Sequence, residues 1–189
     1  LFLARFITLC PPILTLGVPI TWAMINIDQM YQGINIDLIG LTLRSFSLAL
    51  IVSLITIFIS LLLSISKRWQ NERWLNLLTF LSVIGYAIPG SVLALALISF
   101  KGNISQINIL SLLIWGYTIR FLAVSKGGLD AAFERISPNI DNAATNLGKS
   151  WPKVLAKIHL PLLRGPMMVG FLLVFVDTIK ELPLTFILR

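Results

Sequence analysis

Residues 45–66 read SFSLALIVSLITIFISLLLSIS, twenty-two positions without a charge and rich in leucine, isoleucine and serine. Crossing the hydrocarbon core of a bilayer takes about 20 mostly apolar residues in a helix. This stretch is therefore a membrane-spanning helix, and similar stretches lie on both sides of it. Residues 6–27 are uncharged, with Pro11, Pro12 and Pro19 inside them; proline is tolerated in a spanning helix where neighbours satisfy the freed backbone groups. Residues 74–100 are also uncharged and exceed one crossing, so the span is tilted, kinked or partly outside the lipid. Pro89 and Gly90 mark its expected kink, since proline removes a helix hydrogen bond and glycine relaxes the turn. Further spans are expected at about 107–125, with Arg120 snorkelling near the cytoplasmic end, and at about 162–179, starting after Arg164.

The composition agrees. Of 189 residues 57% are hydrophobic and 12% charged, with mean hydropathy +0.89; soluble domains carry about 25% charged residues. The fold class is an all-α membrane protein, a polytopic bundle of about five transmembrane helices. The net charge of +7 comes from 15 Lys+Arg against 8 Asp+Glu. These basic residues cluster between apolar spans, which argues for membrane orientation and against nucleic acid. Residues 67–73 carry three basic residues, and 126–164 carry Lys126, Arg135, Lys149, Lys153, Lys157 and Arg164. Segment 28–41 holds Asp28 and Asp37 and no basic residue, and 101–106 only Lys101. The positive-inside rule places 67–73 and 126–164 in the cytoplasm. Alternation then puts the start of the chain inside and its end outside. Trp22, Trp69, Trp74 and Trp115 lie near span ends or in short connections, where amphipathic rings prefer to sit. Leu1 in place of methionine and the abrupt end at Arg189 read as a fragment.

No catalytic constellation stands out. The chain has no G-x-x-x-x-G-K-[ST] phosphate loop, no H-E-x-x-H and no Ser/His/Asp set. Cys10, alone in an apolar run, reads as a small buried hydrophobe. His159 has no second ligand near it in sequence, so neither a metal site nor a cofactor is expected. Tyr86 and Tyr117 are better explained by packing than as ligands. Asp177, Lys180 and Glu181, at the outer end of the last span, can pair with one another at i, i+3 and i+4 or face a substrate path or an outer docking partner.

The segment 126–161 is too long and too patterned for a mere connector. Ser137-Pro138 is a helix start, and Ile140, Ala143, Ala144 and Leu147 then share one face at i, i+3, i+4 and i+7. Gly148 ends that pattern. A second start at Ser150 sets Trp151, Val154, Leu155 and Ile158 on one face and Lys149, Lys153 and Lys157 on another. Periodicity thus predicts a two-helix amphipathic knob. It fits either a docking site for a protein or a hairpin lying on anionic lipid headgroups.

Asn142-Ala143-Ala144, three residues, Gly148, nine residues, then Ile158-His159-Leu160-Pro161 resembles the Glu-Ala-Ala loop of type I ABC importer permeases, the inner-membrane components of binding-protein-dependent transport systems. Asn142 stands where that family usually has glutamate, with Asp141 one residue earlier. The resemblance covers about 40–189. Tyr86–Ala94, Arg120–Val124, Glu134–Pro138 and Val176–Pro183 look most like the ferric-iron subgroup, which often carries two such units in one chain. It implies a first span and outer loop in 1–40 and a permease core in 41–189 that stops before its last span. It also implies an inner-membrane, multi-pass transport subunit without its own nucleotide site. Its partners would be a cytoplasmic ABC ATPase dimer, a periplasmic substrate-binding protein, the lipid bilayer and a second permease unit, in the same chain or as a homodimer. Asp141, Asn142, Ala143, Ala144, Leu147, Gly148, Ile158, Leu160 and Pro161 would form the ATPase-coupling loop. Ferric iron is the implied substrate, with thiamine, sulfate or polyamine as alternatives within the class. A secondary carrier or channel is the alternative from another class.

Overall fold

The computed structural model describes residues 2–27, 38–69, 73–102 and 108–188. Asp28 and Asp37, Gln70 to Glu72 and the connection after Gly102 lie outside them. The chain forms two compact units, Leu1–Thr42 and Leu43–Arg189.

In the first unit α1 (Phe2–Ile25) carries no charge after Arg5, with Leu9, Ile13, Leu16 and Trp22 exposed as lipid contact requires. Cys10 is half-buried and free rather than fully enclosed. Pro11, Pro12 and Pro19 sit inside the helix. Its hydroxyls stay on their own helix: Thr15 donates to the Pro11 carbonyl and Thr21 to that of Gly17, each at 2.8 Å.

In the second unit α2 (Leu38–Trp69, entering this unit at Leu43) is longer than the apolar stretch that announced it. Its 32 residues extend about 48 Å, more than the hydrocarbon core needs. One face is polar yet buried, formed by Ser53, Thr56, Ser60 and Ser64. Ser53 and Thr56 donate to their own helix at Ala49 and Val52, whereas Ser60 meets Ser125 and Ser64 donates to Asp130 Oδ1 at 2.6 Å. Small hydroxylated side chains let helices approach closely in lipid. Gly170 serves the same seam, since a Cβ there would lie 3.0 Å from Ile57 and 3.4 Å from Ser125.

The third span is broken. α3 (Arg73–Val83) passes through a 3₁₀ turn at Ile84–Ala87, and α4 (Gly90–Gly102) leaves at 113° to the preceding Thr79–Ala87 segment. Pro89-Gly90 marks the break as expected, but the angle far exceeds a kink. Ile88 is extended, and its carbonyl accepts from Arg120 Nη1 at 2.6 Å. Gly85 lies so close to the Ile119 carbonyl that no Cβ fits there.

α5 (Ile109–Glu134) is capped by Asn108, whose side chain accepts from Leu110 N at 3.1 Å. It continues nine residues beyond the span expected to stop at 125. Lys126 therefore belongs to the buried helix and not to a loop; it pairs with Asp130 one turn on, at 2.5 Å. Arg120 lies in the middle of α5 and does not snorkel to an end.

After α6 (Pro138–Asn146), α7 (Trp151–Val154) runs through a π turn at Leu155–His159 into α8 (Leu160–Lys180). The expected second short helix and the last span are thus one run, Trp151–Lys180. Leu182-Pro183 then starts α9 (Pro183–Leu188), which packs on α4 and α5.

Among the described residues four helices are long and apolar enough to cross a membrane, five if the bent pair counts as one span. The described residues are helical without strands. One apolar cluster joins Val52, Leu97, Leu113, Phe121, Val174 and Leu184; a second joins Ile65, Phe133, Ile136 and Leu163 near the basic connections. Those connections meet at one end, where Arg68 reaches the Phe133 and Ile136 carbonyls. This is the inner end by the positive-inside rule.

Candidate functional site

At the inner end α6 begins and ends as its residues dictate. The Ser137 hydroxyl accepts from Asn139 N at 3.3 Å, and Pro138 fills the first turn. At the other end Gly148 has φ +68°, Gly148 N donates to Thr145 O and Lys149 N to Ala144 O. This is a Schellman termination, which a glycine makes without steric cost.

The two amphipathic faces do not close on each other as a compact knob would. Between α6 and the start of the α7–α8 run lies an open groove of about 580 Å³. Ile140, Ala143, Ala144, Val154 and Ile158 line it with Lys149, Lys153 and Lys157. Leu147 lines it as well and is 75% exposed. Asn142 and Ala143 are exposed, Ala144 is buried, Leu160 is half-buried, and Pro161 is exposed in the first turn of α8.

Asp141 is the only charged residue of α6, and it faces inward. Its Oδ2 accepts from Arg68 Nε at 2.8 Å and its Oδ1 from His159 Nε2 at 2.7 Å. It therefore does not share the outward exposure of its neighbour Asn142. Arg68 spends its remaining donors on the end of α5, Nη1 on Phe133 O at 2.8 Å and Nη2 on Ile136 O at 3.0 Å. Trp69 lies over Trp151 and edge-on to His159, so it packs between helices instead of anchoring in headgroups. Beside this group Asp130 gathers Ser64, Lys126 and, at 3.5 Å, Lys67.

A second polar cluster surrounds the break of the third span. Glu181 pairs with Arg120 at 3.6 Å between Oε2 and Nε, not with Lys180. Glu181 Oε1 lies over Gly90, where a Cβ would overlap it. Both Glu181 Oε1 and Arg120 Nε are buried without a hydrogen-bond partner. Tyr117 donates to the Glu181 carbonyl at 3.1 Å and shares a short hydrogen bond with Thr185. Ser45, Tyr117, Thr178, Glu181 and Thr185 line a cavity of about 180 Å³. Asp177 is half-buried and Lys180 exposed, and neither has an ion pair among the described residues. Tyr86 is exposed. No group of three or more His, Cys, Asp or Glu among the described residues could hold a metal ion.

Sequence reasoning read Arg68 only as an orientation signal and His159 only as a lone histidine. Nothing local pairs them with Asp141, because the contacts span 73 and 18 residues. The Lys126–Asp130 pair did carry a local signal, its i,i+4 spacing.

Residues 57–188 match the family model described as binding-protein-dependent transport system inner membrane component. The chain is also similar to the Fe(3+)-transport system permease protein FbpB 2 of Haemophilus influenzae, 25% identical over 185 residues, which is 93% of this chain and 36% of that protein. It thus spans about a third of the length of that relative.

Proposed function

Because the chain belongs to the family of binding-protein-dependent transport system inner membrane components, we propose that it is a permease unit of an ATP-driven importer, docked through α6 and its neighbouring groove on a cytoplasmic ATPase. The observation that carries this reading is the groove itself. An apolar floor rimmed by three lysines is left open on the inner face, next to a short helix whose outward side is free. A periplasmic binding protein would deliver substrate to the outer face. A second permease unit would complete the path, and ATP-driven closure of the ATPase would rock the units between inward-open and outward-open states.

Ferric iron is the proposed substrate, supported by what the similar H. influenzae protein is named for. Glu181, with a buried oxygen free of partners, is the outer-end residue proposed to face the path, with Asp177 and Lys180 beside it as docking candidates.

Replacing Gly148 with valine tests the docking. A β-branched side chain at φ +68° costs about 1–2 kcal/mol and spoils the turn that places α6 against the groove. ATPase co-purification and iron uptake should both fall; retention of both at the wild-type level would refute the assignment.

A secondary carrier is favoured by one observation, the two charge pairs within the spans, Arg120–Glu181 and Lys126–Asp130. Uptake in vesicles without an ATPase would establish that reading instead.

A further inference from the structure

α6 is tied to α5 by only Arg135 to Ser137 and to the α7–α8 run by Leu147 to Ser150, with the left-handed Gly148 in that second link. Two such short links leave a helix free to tilt as a flap. Side chains at its buried face remove that freedom. The Asp141 carboxylate spends one oxygen on α2, through Arg68, and the other on the π turn ahead of α8, through His159. The same Arg68 guanidinium holds the Phe133 carbonyl of α5 and the Ile136 carbonyl of the link to α6. Arg68 and Asp141 are 12% and 19% exposed at their side chains, and His159 is fully buried. Phe133 and Trp69 pack on His159, Phe133 also lies under the Arg68 guanidinium, and Trp151 backs Trp69. A guanidinium is needed at Arg68, because only its fork reaches a carboxylate and two carbonyls at once.

We infer that Arg68, Asp141 and His159 form a latch that makes α6 move as one body with α2, α5 and α8, so that a displacement of α6 reaches the spans instead of being absorbed at Gly148. These are positioning residues: they touch neither substrate nor nucleotide. The inference rests on the ATPase-docking reading above. It adds that docking and transmission are separate properties of α6, carried by its outward and inward faces.

The test uses the full permease with its ATPase and binding protein in proteoliposomes, with radioactive ferric iron as the probe. Amounts are normalised to monodisperse permease, so that lost protein does not count as lost coupling. His159→Asn and Arg68→Gln should leave the ATPase associated and hydrolysing while iron uptake per ATP falls roughly tenfold, within the usual range of coupling between sites. The double variant should be no worse than the more impaired single, as members of one unit behave. Arg68→Lys, which keeps the charge and loses the fork, should not restore uptake per ATP. If Arg68→Gln fails to assemble, His159→Asn carries the same comparison, because it leaves the Arg68 contacts to α5 intact. Unchanged uptake per ATP in a complex that retains its ATPase, additive losses in the double variant, or full rescue by lysine would each overturn the latch alone. A wild-type permease that retains no ATPase would overturn the docking reading itself.

Discussion

Replacing Arg120 by leucine strips two partners from the break in the third span. Glu181 loses its counter-charge and the Ile88 carbonyl loses its donor. Both side chains are mostly buried, 18% and 13% exposed, so the carboxylate left behind is poorly hydrated. An uncompensated buried charge costs about 3–5 kcal/mol, and the orphaned carbonyl about 1–3 kcal/mol more. Taking about 4 kcal/mol as the sum after partial relaxation, and about 2–4 °C per kcal/mol for a chain of this size, the melting midpoint falls by roughly 10 °C. In Arg120→Leu/Glu181→Leu the charge penalty is gone and only the carbonyl remains orphaned, so roughly half of that loss should return. The assay is size-exclusion of detergent-solubilised protein after stepwise heating, with both variants run beside the wild type. If the double variant melts no higher than the single, the ion pair is not what holds the break, and the reasoning fails.

Three further outcomes follow from the packing. Gly85→Ala should destabilise more than Gly90→Ala in the same heating assay, because the first Cβ meets the Ile119 backbone carbonyl while the second meets movable tips of Glu181 and Arg120. Ser60→Ala should cost about 0.6 kcal/mol, typical for one interhelical hydrogen bond in lipid, whereas Ser60→Leu should cost about 1–3 kcal/mol by forcing α2 from α5; equal losses would refute the close-packed seam. Asp130→Leu should lower the melting midpoint more than Lys126→Met, since the first strands a lysine side chain only 4% exposed and the second leaves Asp130 with Ser64 and Lys67.

What was legible in the sequence was local. The apolar stretches found the spans, Ser137-Pro138 and Gly148 bounded α6, and Pro89-Gly90 located the break, because caps, prolines and glycines act on their immediate neighbours. The 113° angle was not legible, since it depends on Arg120 arriving from another helix to satisfy Ile88. The span end drawn at 125, just before Lys126, fell short, because a charge with a partner one turn away can stay buried. The helix from Trp151 was cut short at the change from lysine-rich to apolar sequence, although its backbone runs on through a π turn. The latch at Asp141 joins residues that no window of sequence holds together.

The two charge pairs of α5 differ in when they can form. Lys126 and Asp130 lie one turn apart on the same helix, so they can neutralise each other while α5 is still leaving the translocon. Arg120 has no such companion on its own helix: Glu181 follows the whole of α8. Until α8 has followed, the Arg120 guanidinium can have the Ile88 carbonyl but not its carboxylate. The Arg120–Glu181 pair therefore closes only when α5 and α8 are both in place, whereas the Lys126–Asp130 pair needs α5 alone.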